Sequence, residues 1–401
     1  MTGTDDLPAL GDLRVVEMGQ LLAGPFCGQL LGDFGAEIVK IEPPGAGDPM
    51  REWGREKPHG KSLWWPILAR NKKSATLNLR TPEGQELARR IIARADVLVE
   101  NFRPGTLERW GLSPATLHAE NPRLIITRVT GYGQDGPYSP RAGFGSVGEA
   151  MGGIRYVTGD PDKPPSRAGI SLGDELAGTF AALGTLVALH ARHRTGRGQV
   201  VDSALYEAVL AMMESLIPEW DIAGYQRERT GSVLPNVAPS NVYPTQDGPI
   251  LIAANRDTIW RRLAELMGRP ELGDDERYSS HGARGAHAAE LDDLIGAWTA
   301  GQESGPLLEL LHENGIPAGL TYRAKDMLAD PHYRAREAII RLAHPEFGDF
   351  PMHNVFPKLS GTPGEVRSLG PELGEHNHEV YGTLLGLAAE EITRLTAAGT
   401  I

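Results

Sequence analysis

Short apolar runs alternate with amphipathic stretches through the first third of the chain. Leu13-Arg14-Val15-Val16-Glu17-Met18 reads as a strand. Ala23-Gly24-Pro25 then opens a helix to about Phe34, because proline suits a first helical turn. Glu37-Ile38-Val39-Lys40-Ile41-Glu42 follows as a second strand, which completes a β-α-β unit. The alternation continues with a strand over 74–79 and a helix from Thr81-Pro82-Glu83 to about Arg94. Two further strands lie over 96–100 and 123–129. Apolar strands separated by helices predict an α/β fold, a Rossmann-like domain with an open parallel sheet covered on both faces.

Beyond this half the pattern turns helical from Asp174 to Arg192. His190, Arg192, His193 and Arg194 lie near its end, where cations suit the helix dipole. Thr195-Gly196-Arg197-Gly198 breaks it, and an amphipathic helix is predicted from Leu205 into Ile217. Residues 220–240 gain polar, proline and glycine content and read as a linker. A strand over 249–254 and helices over 257–267, 284–298 and 307–314 then predict a smaller α+β domain. The stretch 344–371, rich in Pro and Gly, should cross a surface, and helices are expected around Glu379 and Glu390.

Composition narrows the possible functions. The 401 residues are 40% apolar, enough for a substantial core, and the net charge of −12 argues against nucleic acid as the main partner. It leaves room for a phosphorylated ligand held by a few arginines. Cys27 is the only cysteine, so no disulfide framework or multi-thiolate metal site forms within the chain. The polar start Met1-Thr2-Gly3-Thr4-Asp5-Asp6 lacks the basic and apolar regions of a signal peptide. No apolar run reaches the length of a membrane span on this reading, so a soluble, cytoplasmic protein without membrane contact is expected.

Familiar catalytic signatures are missing. The 12 histidines are scattered with no H-E-x-x-H, so no metal site is expected. There is no G-x-S-x-G elbow, no Walker loop and no G-x-G-x-x-G after the first strand, which disfavours a serine hydrolase and a dehydrogenase. Ser171-Leu172-Gly173-Asp174-Glu175-Leu176-Ala177-Gly178 offers an acid at the start of a small-residue helix. Asp174 is either a helix cap or an exposed carboxylate nucleophile, with neighbouring glycines leaving room for a substrate. Basic residues cluster at Arg70-Asn71-Lys72-Lys73 and across Asn101-Phe102-Arg103-Pro104-Gly105 with Arg109. Both clusters flank predicted strand ends, where such sheets bind ligands. Arginines for phosphate charge and Phe102 for a ring face would suit an anionic adenine nucleotide; a solvated basic surface is the alternative.

In this order the pieces resemble the family III CoA-transferases (the CaiB/BaiF family) nearly end to end. The carriers are Ala23-Gly24-Pro25, Val39-Lys40-Ile41-Glu42, Arg70-Asn71-Lys72-Lys73-Ser74 and the block from Asp96 to Gly105. Thr130-Gly131-Tyr132-Gly133, Gly173-Asp174, Thr195-Gly196-Arg197-Gly198-Gln199, Gly315-Ile316-Pro317-Ala318-Gly319 and Leu373-Gly374-Glu375-His376 complete the set. The resemblance implies an enzyme in which Asp174 attacks an acyl-CoA, passing through an aspartyl anhydride and an aspartyl-CoA thioester to a free carboxylic acid. It implies no resident cofactor, coenzyme A arriving as acyl-CoA substrate, and contacts to it from Leu77, Asn78, Arg80, Asn101, Phe102, Arg103 and Arg109. Arg141 and Tyr132 are expected near the pocket.

The family architecture implies an interlocked, ring-shaped homodimer. Its large domain would comprise residues 1–220 completed by 335–401, with linker and small domain over 221–334. Alpha-methylacyl-CoA racemase shares the fold but carries a histidine in a Gly-His-Asp run, matched here by Gly143-Phe144-Gly145; Phe144 cannot transfer a proton. That favours transferase over racemase, and a non-catalytic CoA-binding protein is the third reading. Leu22 stands where formyl-CoA transferase has a glutamine near its substrate. The glycine-rich active-site loop of that enzyme also has no counterpart between Gly224 and Trp260. Both differences argue against oxalate and formate, and Leu22 points to a more apolar acyl group.

Overall fold

A computed structural model describes residues 8–401, so the polar segment Met1 to Asp6 lies outside the described residues. The chain divides into two compact units. One holds the residues up to Arg155 with Ala168–Leu216 and Arg334–Ile401; the other holds Tyr156–Arg167 and Ile217–Tyr333.

The first unit is built on a six-stranded, wholly parallel sheet. Its strands are β1 (Arg14–Glu17), β2 (Glu37–Glu42), β3 (Lys72–Thr76), β4 (Val97–Glu100), β5 (Ile125–Thr130) and β6 (Val200–Ala204), ordered β3-β2-β1-β4-β5-β6. Strand order reverses between β1 and β4, and ligands of open α/β sheets bind beyond the carboxyl ends of strands at such a point. Nearly every position of β1, β2, β4 and β5 is buried, as a sheet covered on both faces requires. One face carries Val16, Ile41, Leu98, Ile126 and Leu87; the other carries Val15, Ile38, Val99, Ile125 and Ala181.

Four helices matter for the site. They are α1 (Ala23–Asp33), α2 (Pro82–Ile92), α3 (Gly145–Met151) and α4 (Leu172–Thr195). The Thr81 hydroxyl caps α2 by accepting from Gly84 N–H, and Gly196, at φ 70°, ends α4. With 24 residues, α4 is long and apolar enough to cross a membrane, which corrects the expectation that no run reaches that length. Ala177, Ala181, Ala182, Ala188 and Leu189 along it are buried, as in the core helix of a sheet protein.

Residues far along the chain cover β3, the edge strand. His376 N–H donates to Ser74 O at 2.9 Å, Asn377 Oδ1 accepts from Thr76 N–H at 2.8 Å, and Tyr381 Oη donates to Thr76 O. The expected surface tail begins within an antiparallel hairpin, β10 (Ile339–His344) with β11 (Gly348–His353), and supplies its second strand.

The second unit folds around a three-stranded antiparallel sheet, β7 (Ser240–Pro244), β8 (Pro249–Ala253) and β9 (Ala318–Leu320). Trp260, Leu263, Tyr278, Ile295 and Leu311 form its core. The single helix expected from Leu205 into Ile217 is in fact two, Leu205–Leu210 and Leu216–Ala223. Between them Glu214 adopts φ 52°, a left-handed conformation that no helix continues through.

Candidate active site

Asp174 is the third residue of α4, whose N-cap is Ser171; the acid lies within the first turn, three positions past the cap. Strand β5 ends at Thr130, and the chain returns through α3 before α4 runs back beside β5 and β6. This route places the α4 N-terminus at the carboxyl edge of the sheet. The first-turn N–H groups of a helix have no intrahelical carbonyl partners and favour negative charge.

Backbone approach explains the surrounding glycines. Gly145 opens α3, and a Cβ there would fall 2.0 Å from Asp174 Oδ2. A Cβ on Gly173 would fall 2.8 Å from Gly145 O, so the first turns of α3 and α4 touch through backbone. Gly131 and Gly143 are pressed together likewise, each excluding a Cβ on the other. That contact closes the loop 131–143 upon itself. Within it the Arg141 guanidinium stacks on the Tyr138 ring at 3.6 Å, and Tyr132 meets Tyr138 edge-on. Phe144, at the N-cap of α3, is 59% exposed, and no imidazole stands at that position.

A groove of about 840 Å³ lies at the carboxyl ends of β1, β2 and β4. Leu77, Asn78, Arg80 and Phe102 line it, together with Gln20, Trp110 and the Pro43-Pro44-Gly45-Ala46-Gly47 turn. Phe102 and Trp110 pack edge to face, with ring centres 5.0 Å apart. Arg103 and Arg109 are exposed on the turn and short helix that follow β4, where Arg109 donates to the Thr106 hydroxyl. Asn101 is engaged differently. Its Oδ1 accepts from Gln20 N–H and its Nδ2 donates to Gln20 O, both at 2.8 Å, so it ties the loop after β4 to the loop after β1. Gln20, Trp110 and the proline-glycine turn were not singled out from sequence; Pro43 to Gly47 carried a legible turn signal.

The loop after β1 rests on a buried charge cluster. Lys40 donates to Glu17 and to Gly19 O, each at 2.9 Å, and pairs with Asp48 at 2.8 Å. Lys72 donates to Glu17 and to Pro25 O. Asp48 Oδ1 in turn accepts from the N–H groups of Leu21 and Met50. Leu21 is held at φ 63°, a strained conformation for a branched side chain. Burial disfavours the Lys40 charge, yet Asp48 and Glu17 outweigh it and hold the ammonium above its ordinary pKa.

One expectation is corrected here. The Arg70-Asn71-Lys72-Lys73 cluster does not face a ligand. Arg70 forms a two-pronged pair with Asp33, Asn71 also bonds Asp33, and Lys73 bonds Glu37 and Glu379. Leu22 is buried in a small cluster with Met50, Trp65 and Leu68. Cys27 is buried in α1, and burial together with the Glu17 charge pushes its thiol up to about 12. Among the described residues no cluster of three or more His, Cys, Asp or Glu is arranged to hold a metal ion.

The model of CoA-transferase family III matches residues 10–377. The chain belongs to this family. Within it, the chain is 60% identical over 393 residues to the succinyl-CoA–D-citramalate CoA-transferase of Chloroflexus aurantiacus, covering 98% of each protein. It is 41% identical over 405 residues to the succinyl-CoA–L-malate CoA-transferase beta subunit of the same organism, over the full length of both. A solved structure of a CaiB/BaiF family protein from Brucella suis superposes with a TM-score of 0.84 at 35% identity, covering 94% of this chain and 100% of that one. The chain is therefore an α/β enzyme of the CoA-transferase class, acting on a CoA thioester and a carboxylic acid.

Proposed function

We propose that the chain moves CoA from a short dicarboxylic acyl-CoA, of the succinyl-CoA kind, to a short hydroxy-dicarboxylic acid, with Asp174 as nucleophile. The observation that carries this reading is the seating of Asp174. Its carboxylate sits in the first turn of α4, against the first residue of α3, where a single missing Cβ makes the space. The names of the 60% and 41% identical relatives, CoA-transferases of succinyl-CoA with D-citramalate and with L-malate, support the choice of acids.

The steps follow from carboxylate chemistry. An Asp174 oxygen adds to the thioester carbonyl; the C–S bond breaks and the CoA thiolate leaves with its electron pair. The thiolate then adds to the aspartyl carbonyl of the anhydride, releasing the first acid and leaving an aspartyl-CoA thioester. The second acid attacks that thioester, breaking its C–S bond to release the thiolate and form a second acyl-aspartyl anhydride. The thiolate then adds to the acyl carbonyl of this anhydride, giving the new acyl-CoA and restoring the Asp174 carboxylate. Each tetrahedral intermediate carries an oxyanion, and N–H groups at helix N-termini are suited to hold it. Both covalent states require exclusion of water.

Leu77, Asn78, Arg80, Phe102, Arg103 and Arg109 are proposed to bind CoA. Phe102 would offer a ring face and the two exposed arginines phosphate contacts. Asn101 is proposed to act from behind them, through the Gln20 backbone. The enzyme is proposed to work as an interlocked homodimer in the cytoplasm, with no resident cofactor. The exposed apolar stripe Leu183, Leu186 and Val187 on α4 supports an interface. Light scattering should return twice the chain mass.

The deciding experiment is incubation with succinyl-CoA and quenching in hydroxylamine, followed by peptide mass spectrometry. A hydroxamate at Asp174, and formation of the CoA thioester of added citramalate, are expected. Absence of the label, with deuterium entering the acyl α-carbon without any acceptor acid, would replace this reading by proton transfer.

A further inference from the structure

Gly145 and Glu149 lie one turn apart on α3 and so share a face. Gly145 makes room for the nucleophile, as described. Glu149 is only 1% exposed, and its Oε1 accepts from Gly173 N–H at 3.3 Å. Its Oε2 accepts from Arg155 Nε at 2.8 Å. Gly173 N–H belongs to the first turn of α4, so a carboxylate from another helix takes a donor that α4 leaves unpaired. A Cβ on Gly173 would also fall 3.1 Å from Glu149 Cγ, so the acid is packed against the peptide it bonds.

We infer that Glu149, neutralised by Arg155, is a positioning residue that fixes the peptide ahead of Asp174 and so sets the direction of nucleophilic attack. This rests on the reading of Asp174 as nucleophile. The division of labour follows from charge. An anionic acceptor at a helix N-terminus strengthens the hold on Gly173, but a bare second carboxylate beside Asp174 would disfavour the nucleophile's ionised form. Arg155 removes that cost. The helices packed on α3 bring other titratable groups: Asp174 and Glu175 from α4, and Tyr206 and Glu207 from Leu205–Leu210. Tyr206 donates to Glu207, and burial raises the Glu175 carboxyl. None of these is a cation, and Arg155 is the counter-charge that meets Glu149.

The test compares Glu149→Ala, Glu149→Gln, Arg155→Met and the Glu149→Gln/Arg155→Met pair with the unaltered enzyme. Loss of the anchor in Glu149→Ala should lower kcat roughly 10- to 100-fold, with the hydroxamate at Asp174 forming correspondingly slower and KM for acyl-CoA within about threefold. Glu149→Gln keeps an oxygen acceptor and should recover much of that loss. Arg155→Met should move the acidic limb of the kcat/KM profile to higher pH, and the double variant should move it back. Wild-type kcat in Glu149→Ala, or an unmoved acidic limb in Arg155→Met, would overturn the inference. Should Glu149→Ala not fold, the Arg155→Met and double-variant profiles decide alone. Failure of the unaltered enzyme to label at Asp174 would instead remove the nucleophile itself.

Discussion

At the scale of single residues, the site depends on atoms that are missing as much as on those present. Asp174 has its position because Gly145 has no side chain. Gly145→Ala would force the carboxylate or the first turn of α3 to shift by more than an ångström. Transfer should fall about tenfold or more, because misplacement of a reacting group on that scale is costly. Circular dichroism and melting should change little, and the hydroxamate yield at Asp174 should track kcat. Lys40 is the opposite case, a side chain whose loss would strip the buried Asp48 of its cation and leave Glu17 with Lys72 alone. Lys40→Met leaves Glu17 and Asp48 without that cation, and removing one member of a buried pair costs about 3–5 kcal/mol. Chemical denaturation should show a drop of that order.

At the scale of elements, Asn101 joins two loops that flank the reversal of strand order. Asn101→Ala breaks both bonds to Gln20 and releases the β1 loop from the β4 loop. KM for acyl-CoA should rise about fivefold or more, since truncating a doubly bonded amide leaves two backbone groups unpaired. Steady-state kinetics at saturating acid checks this.

Legibility in the sequence followed the same division. The strands β2 and β4 and helices α1 and α2 were visible because their apolar spacing is their burial pattern. From the residues alone Asp174 is an acid at a helix start with two roles open, and only the family resemblance singles it out as the nucleophile. The close approach of Gly145 was not visible, since it joins residues 29 positions apart through space. Strand β6 was missed because Val200-Val201-Asp202-Ser203-Ala204 follows a glycine-rich break and carries two polar positions. Arg70 and Lys72 were read as ligand-facing because a basic run looks alike whether its partners are phosphates or the buried Asp33 and Glu17. Glu149, a lone acid among small residues, gave no pattern at all.

At the scale of the whole molecule, the carboxylates of the loop scaffold link stability to acid. Burial would raise Glu42 and Asp48, yet hydrogen bonds from Arg51 and the Lys40 charge prevail, and both are held below their ordinary values. A group lowered on folding contributes stability above its unfolded pKa and loses it as pH falls through the folded one. Melting temperature should therefore hold from neutrality down to about pH 4 and decline below that. Lys40→Met, having lost the cation that lowers Asp48, should show a shallower decline.

The covering of β3 by residues 300 positions further along bears on how the protein is made. On the ribosome, β1, β2 and β3 emerge early, and their neighbours β4 to β6 follow in order. The β3 edge nevertheless stays bare until His376, Asn377 and Tyr381 have been translated. For most of synthesis the nascent chain thus carries an uncovered strand edge, the kind that recruits other strands. Covering of this edge therefore comes late in synthesis, some 300 positions after the strand itself.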